Sequence, residues 1–255
     1  MSSREIILTL KDGVRVIRIN RPKTKNAFDS NVYTTITNTL TEDAQNDNVV
    51  VTIITGTGEY YSSGFDIKSA MSKFGGGDTR GVDELKAMIN AFIIYPKLLI
   101  ALVNGPAIGI AVTTAALCDI VYASERATFE TPFLRIGLCA EGCSSYNFPN
   151  ILGRSKASEM LFLGKKMTAQ EAYQFGFVAE VIPHEQLDQF AHKLMTLGKE
   201  LSVNGVKITK KLILNNYRNV LCECNERELD QLVECFGSEE FSEGIMKFMS
   251  RKSKL

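Results

Sequence analysis

Only two histidines occur in the 255 residues, His184 and His192, and neither sign of charge is in excess: 29 Lys and Arg stand against 29 Asp and Glu. A general nucleic-acid binder carries a basic surplus, and a disordered chain combines net charge with low apolar content. The balanced total and the 45% apolar residues argue against both. The histidines lie in a polar stretch and read as surface residues rather than metal ligands. Six cysteines, Cys118, Cys139, Cys143, Cys222, Cys224 and Cys235, keep no zinc-ribbon or CxxC spacing, and nothing resembling a signal peptide precedes them. Free thiols in a reducing compartment are expected, and no metal.

Catalytic signatures are missing too. There is no GxxxxGK[ST] and no GxGxxG after a strand. Gly142-Cys143-Ser144-Ser145 is followed by Tyr146 where a nucleophile elbow needs glycine, so a hydrolytic triad has no support. The one long uncharged stretch, between Lys97 and Asp119, contains Asn104-Gly105-Pro106. It reads as a strand over 98–103, a tight turn and a buried helix from about Gly109 to Cys118, not as a membrane span.

What is present alternates. A hairpin is expected from Ile6 to Leu10 and Val14 to Ile19, a helix from Ser30 to Gln45 with Val32, Ile36 and Leu40 on one face, and a doubly buried strand over 49–55. A helix over 83–94 and a strand over 120–123 continue the alternation, which predicts an α/β core. Beyond Ser155 strand signals nearly vanish. Thr168 and Glu171 form a capping box, and the chain from Glu185 on has helical composition. The expected division is an α/β core over 1–190 and a helical region over 191–255. Gly75-Gly76-Gly77 sits in a polar stretch that reads as a surface loop over 70–82, helping to cover a ligand.

Two glycine-containing turns each follow a buried strand, Tyr61-Ser-Ser-Gly-Phe-Asp66 and Asn104-Gly-Pro-Ala-Ile-Gly-Ile110. Small residues there let a ligand approach the backbone, and two converging amides would make an oxyanion hole. Spacing alone leaves two ordinary connections equally open.

These residues carry a resemblance. Asn20-Arg-Pro-Lys-Thr-Lys-Asn-Ala27, Ser62-Ser-Gly-Phe-Asp66, Asn104-Gly-Pro-Ala-Ile-Gly109 and Asp119-Ile-Val-Tyr-Ala-Ser124 are similar, in order and spacing, to the motifs of the enoyl-CoA hydratase/isomerase (crotonase) superfamily. Phe129-Glu-Thr-Pro-Phe133, Glu141-Gly-Cys-Ser-Ser145 and Arg251-Lys-Ser-Lys-Leu255 resemble its peroxisomal Δ3,Δ2-enoyl-CoA isomerase branch. The resemblance implies a spiral of ββα units in two roughly perpendicular sheets, with C-terminal helices that mediate a homotrimer. It implies oxyanion donation by the amides of Ser63 and Ile110. It also implies an acyl-CoA site that uses Lys25, Ala27, Ser62, Gly64, Asp66, Ile67, Gly109, Phe133 and Leu138. Coenzyme A would enter as part of the substrate, with no separate cofactor.

Hydratases of the superfamily use two glutamates, at positions that here hold Thr113 and Phe133. Glu141 lies where the isomerase branch keeps its acid, and one carboxylate suffices for a double-bond shift. The expected reaction is therefore conversion of 3-enoyl-CoA to trans-2-enoyl-CoA, with Leu138 and Phe148 as apolar neighbours raising the Glu141 carboxyl. Residues 1–25 hold seven basic and two acidic side chains, suited to the CoA phosphates. Ser253-Lys254-Leu255 matches an address read by the peroxisomal import receptor, which implies the peroxisomal matrix. Two alternatives are a CoA-binding interaction module like the chromodomain-linked members, and residual hydratase or dienoyl-CoA isomerase activity.

Overall fold

A computed structural model describes residues 5–67 and 80–252. The Gly75-Gly76-Gly77 stretch and Ser253-Lys254-Leu255 lie outside the described residues. The expected hairpin forms from β1 (Ile6–Lys11) and β2 (Val14–Ile19). Its two-residue loop places Asp12 and Gly13 at φ 52° and 83°, the twist that joins antiparallel strands tightly. From β2 onward the sheet is parallel, through β3 (Val51–Gly56), β4 (Leu98–Val103), β6 (Ile120–Ser124) and β9 (Glu180–Ile182).

The β-branched runs follow from burial on both faces. Ile17, Ile54 and Ala101 face the main core with the helices Ser30–Gln45 and Arg80–Ile94. Ile53, Ile100 and Leu102 face a smaller core under Leu187, Leu194 and Val203. A second sheet contains β5 (Ala107–Ile108), β7 (Thr128–Glu130) and β8 (Met167–Thr168), and Ser62 pairs with Ala107 at its edge. Ser62 follows β3, β5 follows β4 and β7 follows β6. β3, β4 and β6 thus each step toward the second sheet before the chain turns into a helix, which is the spiral of ββα units.

Thr168 caps the helix Ala169–Gln174 with the expected box, and the helices Val203–Leu214, Arg218–Phe236 and Glu239–Lys252 fill the C-terminal region. Among the described residues no helix is long and apolar enough to cross a membrane. Three readings need correction. β8 and β9 are strands beyond Ser155; with two and three residues they show no periodicity and exist only by pairing with β7 and β6. The helix after Gly109 stops at Ala115, short of Cys118. His184 is half-buried, its Nδ1 3.0 Å from Ser124 Oγ, whereas His192 is exposed as expected.

Candidate active site

The first motif works as a knot. A short turn at Pro22–Thr24 ends on Lys25 and Asn26, both in the left-handed region at φ 56° and 58°. Asn26 has no exposed surface. Its Oδ1 accepts the Arg21 amide at 2.9 Å, and its Nδ2 donates to the carbonyls of Thr57 and Tyr60 at 2.9 and 2.7 Å. The Arg21 guanidinium donates to the Ala27 carbonyl and pairs with Asp29 at 2.8 Å and with Asp66 at 3.3 Å. The motif arginine thereby holds the motif aspartate across 45 residues. Asn26→Ala would leave the Arg21 amide and the Thr57 carbonyl without this partner, while the Tyr60 carbonyl keeps Asn104 Nδ2 at 3.2 Å; it is expected to lower stability by about 2 kcal/mol, measured by denaturant unfolding.

This knot changes the meaning of the basic N-terminal segment. Arg15 is bound to Asp43 at 2.6 Å and Arg21 is enclosed by acids, so neither is presented to a polyanion. Lys25 remains at the surface, its Nζ 3.3 Å from Tyr60 Oη and 4.8 Å from the centre of that ring.

The two glycine turns touch. Tyr61 and Ser62 both donate their amides to the Pro106 carbonyl, at 3.1 and 3.3 Å, and Ile108 donates to the Ser62 carbonyl at 3.0 Å. Gly64, at φ 79°, lies so close that a Cβ there would sit 2.4 Å from the Ile108 carbonyl oxygen. The expected convergence of the turns is therefore built into the backbone, but one expected donor is occupied. The Ser63 amide donates to the Lys25 carbonyl at 2.8 Å, because left-handed Lys25 turns that oxygen toward the 61–66 turn. The Ile110 amide opens the helix Ile110–Ala115, where first-turn amides have no carbonyl within the helix to receive them. Phe133 stands beside this turn, its Cε1 3.6 Å from where a Gly109 Cβ would be.

Glu141 is 4% exposed and comes next to the same short helix. Thr113 Oγ1 lies 3.1 Å from Glu141 Oε1 and 3.2 Å from the Ile110 carbonyl. Glu141 Oε2 is buried without a hydrogen-bond partner among the described residues. Burial first, then the like charge of Glu228, push the Glu141 carboxyl up to about 8 against the lowering effect of the Thr113 hydroxyl. Gly142, at φ 63°, leaves room for this contact, since a Cβ there would meet Thr113 Oγ1 at 2.3 Å.

Of the other residues read from the sequence, Ala27, Ser62, Gly64 and Leu138 are buried around the turns, while Asp66 and Ile67 are half-buried. The Asp66 carboxylate is directed at Arg21. Sequence reading missed Glu228, whose oxygens accept the amides of Cys143 and Ser145 at 2.6 and 2.8 Å, as well as the pairing of Thr113 with Glu141. Cys143, Cys224 and Glu228 bring two sulfurs and a carboxylate oxygen within 4.8 Å of one another, a grouping that linear spacing did not reveal. Both Glu228 oxygens are already engaged by amides there.

Known proteins match this chain along nearly its whole length. The family model described as enoyl-CoA hydratase/isomerase matches residues 9–254. The chain is 43% identical to enoyl-CoA delta isomerase 2 of Rattus norvegicus, covering 99% of this chain and 65% of that protein. It is 41% identical to the peroxisomal enoyl-CoA delta isomerase 3 of Mus musculus, covering 99% and 80%, and 33% identical to testis-specific chromodomain protein Y 1 of Homo sapiens, covering 98% and 47%. Among solved structures, an enoyl-CoA hydratase/isomerase from Pseudoalteromonas atlantica superposes with a TM-score of 0.91 at 27% identity, covering 97% and 98%.

Proposed function

The chain belongs to the enoyl-CoA hydratase/isomerase family, and from the site it builds we propose that it isomerises 3-enoyl-CoA thioesters to trans-2-enoyl-CoA. The observation that carries this reading is the buried carboxyl of Glu141, with one oxygen on Thr113 and the other unpartnered among the described residues. Thr113 and Phe133 occupy the two positions at which the family's hydratases carry glutamates, so a second carboxylate to position water is missing there.

In the proposed reaction Glu141 takes a proton from C2. The electron pair of that C–H bond forms the C2–C1 double bond of a dienolate, and the thioester oxygen takes up the negative charge. The Ile110 amide donates to that oxygen, a contribution of about 3 kcal/mol to the barrier. A thioester oxygen can recruit the Ser63 amide as well only by displacing the Lys25 carbonyl. The same carboxyl then returns the proton to C4: the C3–C4 π pair forms the new C–H bond, the C1–C2 pair shifts to C2–C3, and the oxygen's pair restores the thioester carbonyl. The transfer is redox-neutral, so the proposal needs no cofactor beyond the CoA of the substrate.

A carboxyl near 8 suits a group that must be base and then acid. Thr113 serves both states. It donates its one proton to Glu141 when the carboxyl is ionised, and it can donate to the Ile110 carbonyl while accepting from Glu141 when the carboxyl is protonated. Phe133 beside Gly109 keeps the turn apolar and favours proton return over hydration.

The names of the rat and mouse relatives support the assignment. The mouse name, with the Ser253-Lys254-Leu255 motif where its carboxylate is free, supports a peroxisomal site of action. Exposed Ile208, Leu212 and Ile213 are apolar surface that assembly into a homotrimer would cover. The similarity to a chromodomain protein favours a second reading, CoA binding without turnover. Incubating the purified protein with 3-enoyl-CoA and, separately, with 2-enoyl-CoA distinguishes the cases. Isomerisation with little hydration is expected. Binding without turnover would leave the second reading, and hydration at a comparable rate would overturn the isomerase assignment.

A further inference from the structure

The loop that carries Glu141 is held from outside. Immediately after Glu141 the chain passes through Gly142 and Cys143, both left-handed at φ 63° and 61°, before the helix Ser144–Leu152 begins. A non-glycine residue keeps that conformation only where its surroundings over-determine it. Here one side chain receives two of the turn's amides. Glu228, 6% exposed on the helix Arg218–Phe236, accepts the Cys143 amide on Oε2 at 2.6 Å and the Ser145 amide on Oε1 at 2.8 Å. Two amides meet two oxygens, a match that only an ionised carboxylate completes, since a carboxamide would turn an N–H toward one of the donors.

The helix that supplies Glu228 is fixed in turn. Buried Asn225 donates to Asn90 Oδ1 at 2.9 Å on the helix Arg80–Ile94, and Cys143 Sγ lies 3.3 Å from the Leu221 carbonyl. We propose that Glu228 is a positioning residue for the reaction: from the C-terminal helix it holds the left-handed turn that aims Glu141 at Thr113, and it supplies the negative charge that Glu141 faces. This inference rests on Glu141 being the base of the proposed isomerisation.

Among the described residues, three titratable groups interact with Glu141 from the elements packed around it: Glu228, Cys143 on its own loop, and Tyr33 from the helix Ser30–Gln45. Cys143 is pushed up by its hydrogen bond with the Cys224 thiol and Tyr33 by burial, so both stay neutral across the working range. Glu228 is thus the charged neighbour among these three. A like charge favours the protonated form of Glu141 and makes its anion a stronger base once formed.

The test is the pH dependence of kcat/KM for 3-enoyl-CoA isomerisation in the parent, E228Q, E228D and E141Q. In E228Q the acid limb should move down by about one pH unit and the plateau fall about tenfold, because the carboxyl ionises more easily and is a weaker base. In E228D the charge remains, so the limb should stay near the parental position while kcat falls and KM changes little. A limb that does not move in E228Q would overturn the inference by reducing Glu228 to a structural strut. If E228Q does not fold, E228D carries the test, and parental kcat in that variant would overturn it. Activity retained in E141Q would instead remove the underlying reading of the base, a failure separate from that of Glu228.

Discussion

Glu141→Gln is expected to lower kcat for 3-enoyl-CoA isomerisation by about 10³-fold, within the range a positioned base contributes, with KM nearly unchanged. The substitution keeps the size of the side chain and an oxygen within reach of Thr113, so the loop and the acyl site are preserved while the proton acceptor is lost. Activity within tenfold of the parent would remove Glu141 from the mechanism. The parental pH profile carries the same information. A base that titrates near 8 is protonated below that pH, so kcat/KM should rise with pH up to about 8 and then level.

Stability should move in the opposite direction from activity. A carboxyl whose folded value is raised from 4.5 to about 8 favours the fold while protonated, and its ionisation opposes the fold increasingly as pH rises through that window. Glu141→Gln removes the opposition. The variant should therefore melt at a higher temperature than the parent at pH 8, with the difference vanishing below pH 4.5. A variant that is inactive and more stable at pH 8 cannot owe its inactivity to unfolding.

The fold was legible where chemistry constrains a short stretch: the hairpin at Asp12-Gly13, the β-branched run of β3, the capping box at Thr168. β9 was not, because three residues carry no period and the strand is defined only by its partner β6. The site divides the same way. Gly64 and Gly109 are readable as turn residues, and the likeness of the motifs pointed to Glu141. That the Ser63 amide meets the Lys25 carbonyl follows from the left-handed Lys25, which no local rule predicts for a lysine. Glu228 was invisible for a simpler reason. It lies 85 residues beyond the amide it accepts, on a helix whose other acids, Glu223, Glu226, Asp230 and Glu234, are exposed, and only the tertiary contact distinguishes it from them.

Gly64→Ala carries the second large effect, and it tests whether contact between the two turns is what makes the site. At φ 79° an alanine is strained wherever it sits, at a cost of about 1 kcal/mol. Gly176 has nearly the same φ, 78°, with nothing within 4 Å of an added Cβ, so Gly176→Ala measures that strain alone. At Gly64 the Cβ also falls 2.4 Å from the Ile108 carbonyl oxygen, which is backbone and cannot rotate away. The turns must separate, and with them the bridge between Ser62 and Ala107 and the approach to Gly109 and Ile110. The total cost should be about 3 kcal/mol, lowering the melting temperature by roughly 10 °C against roughly 3 °C for Gly176→Ala. Activity should separate the two variants further, since a displacement of about 1 Å at a reacting centre costs about 10²-fold. Gly176→Ala should keep nearly parental kcat. Equal melting temperatures and equal activity in the two variants would show that the turns tolerate separation, and the oxyanion donor proposed at Ile110 would then need no help from the 61–66 turn to hold its place.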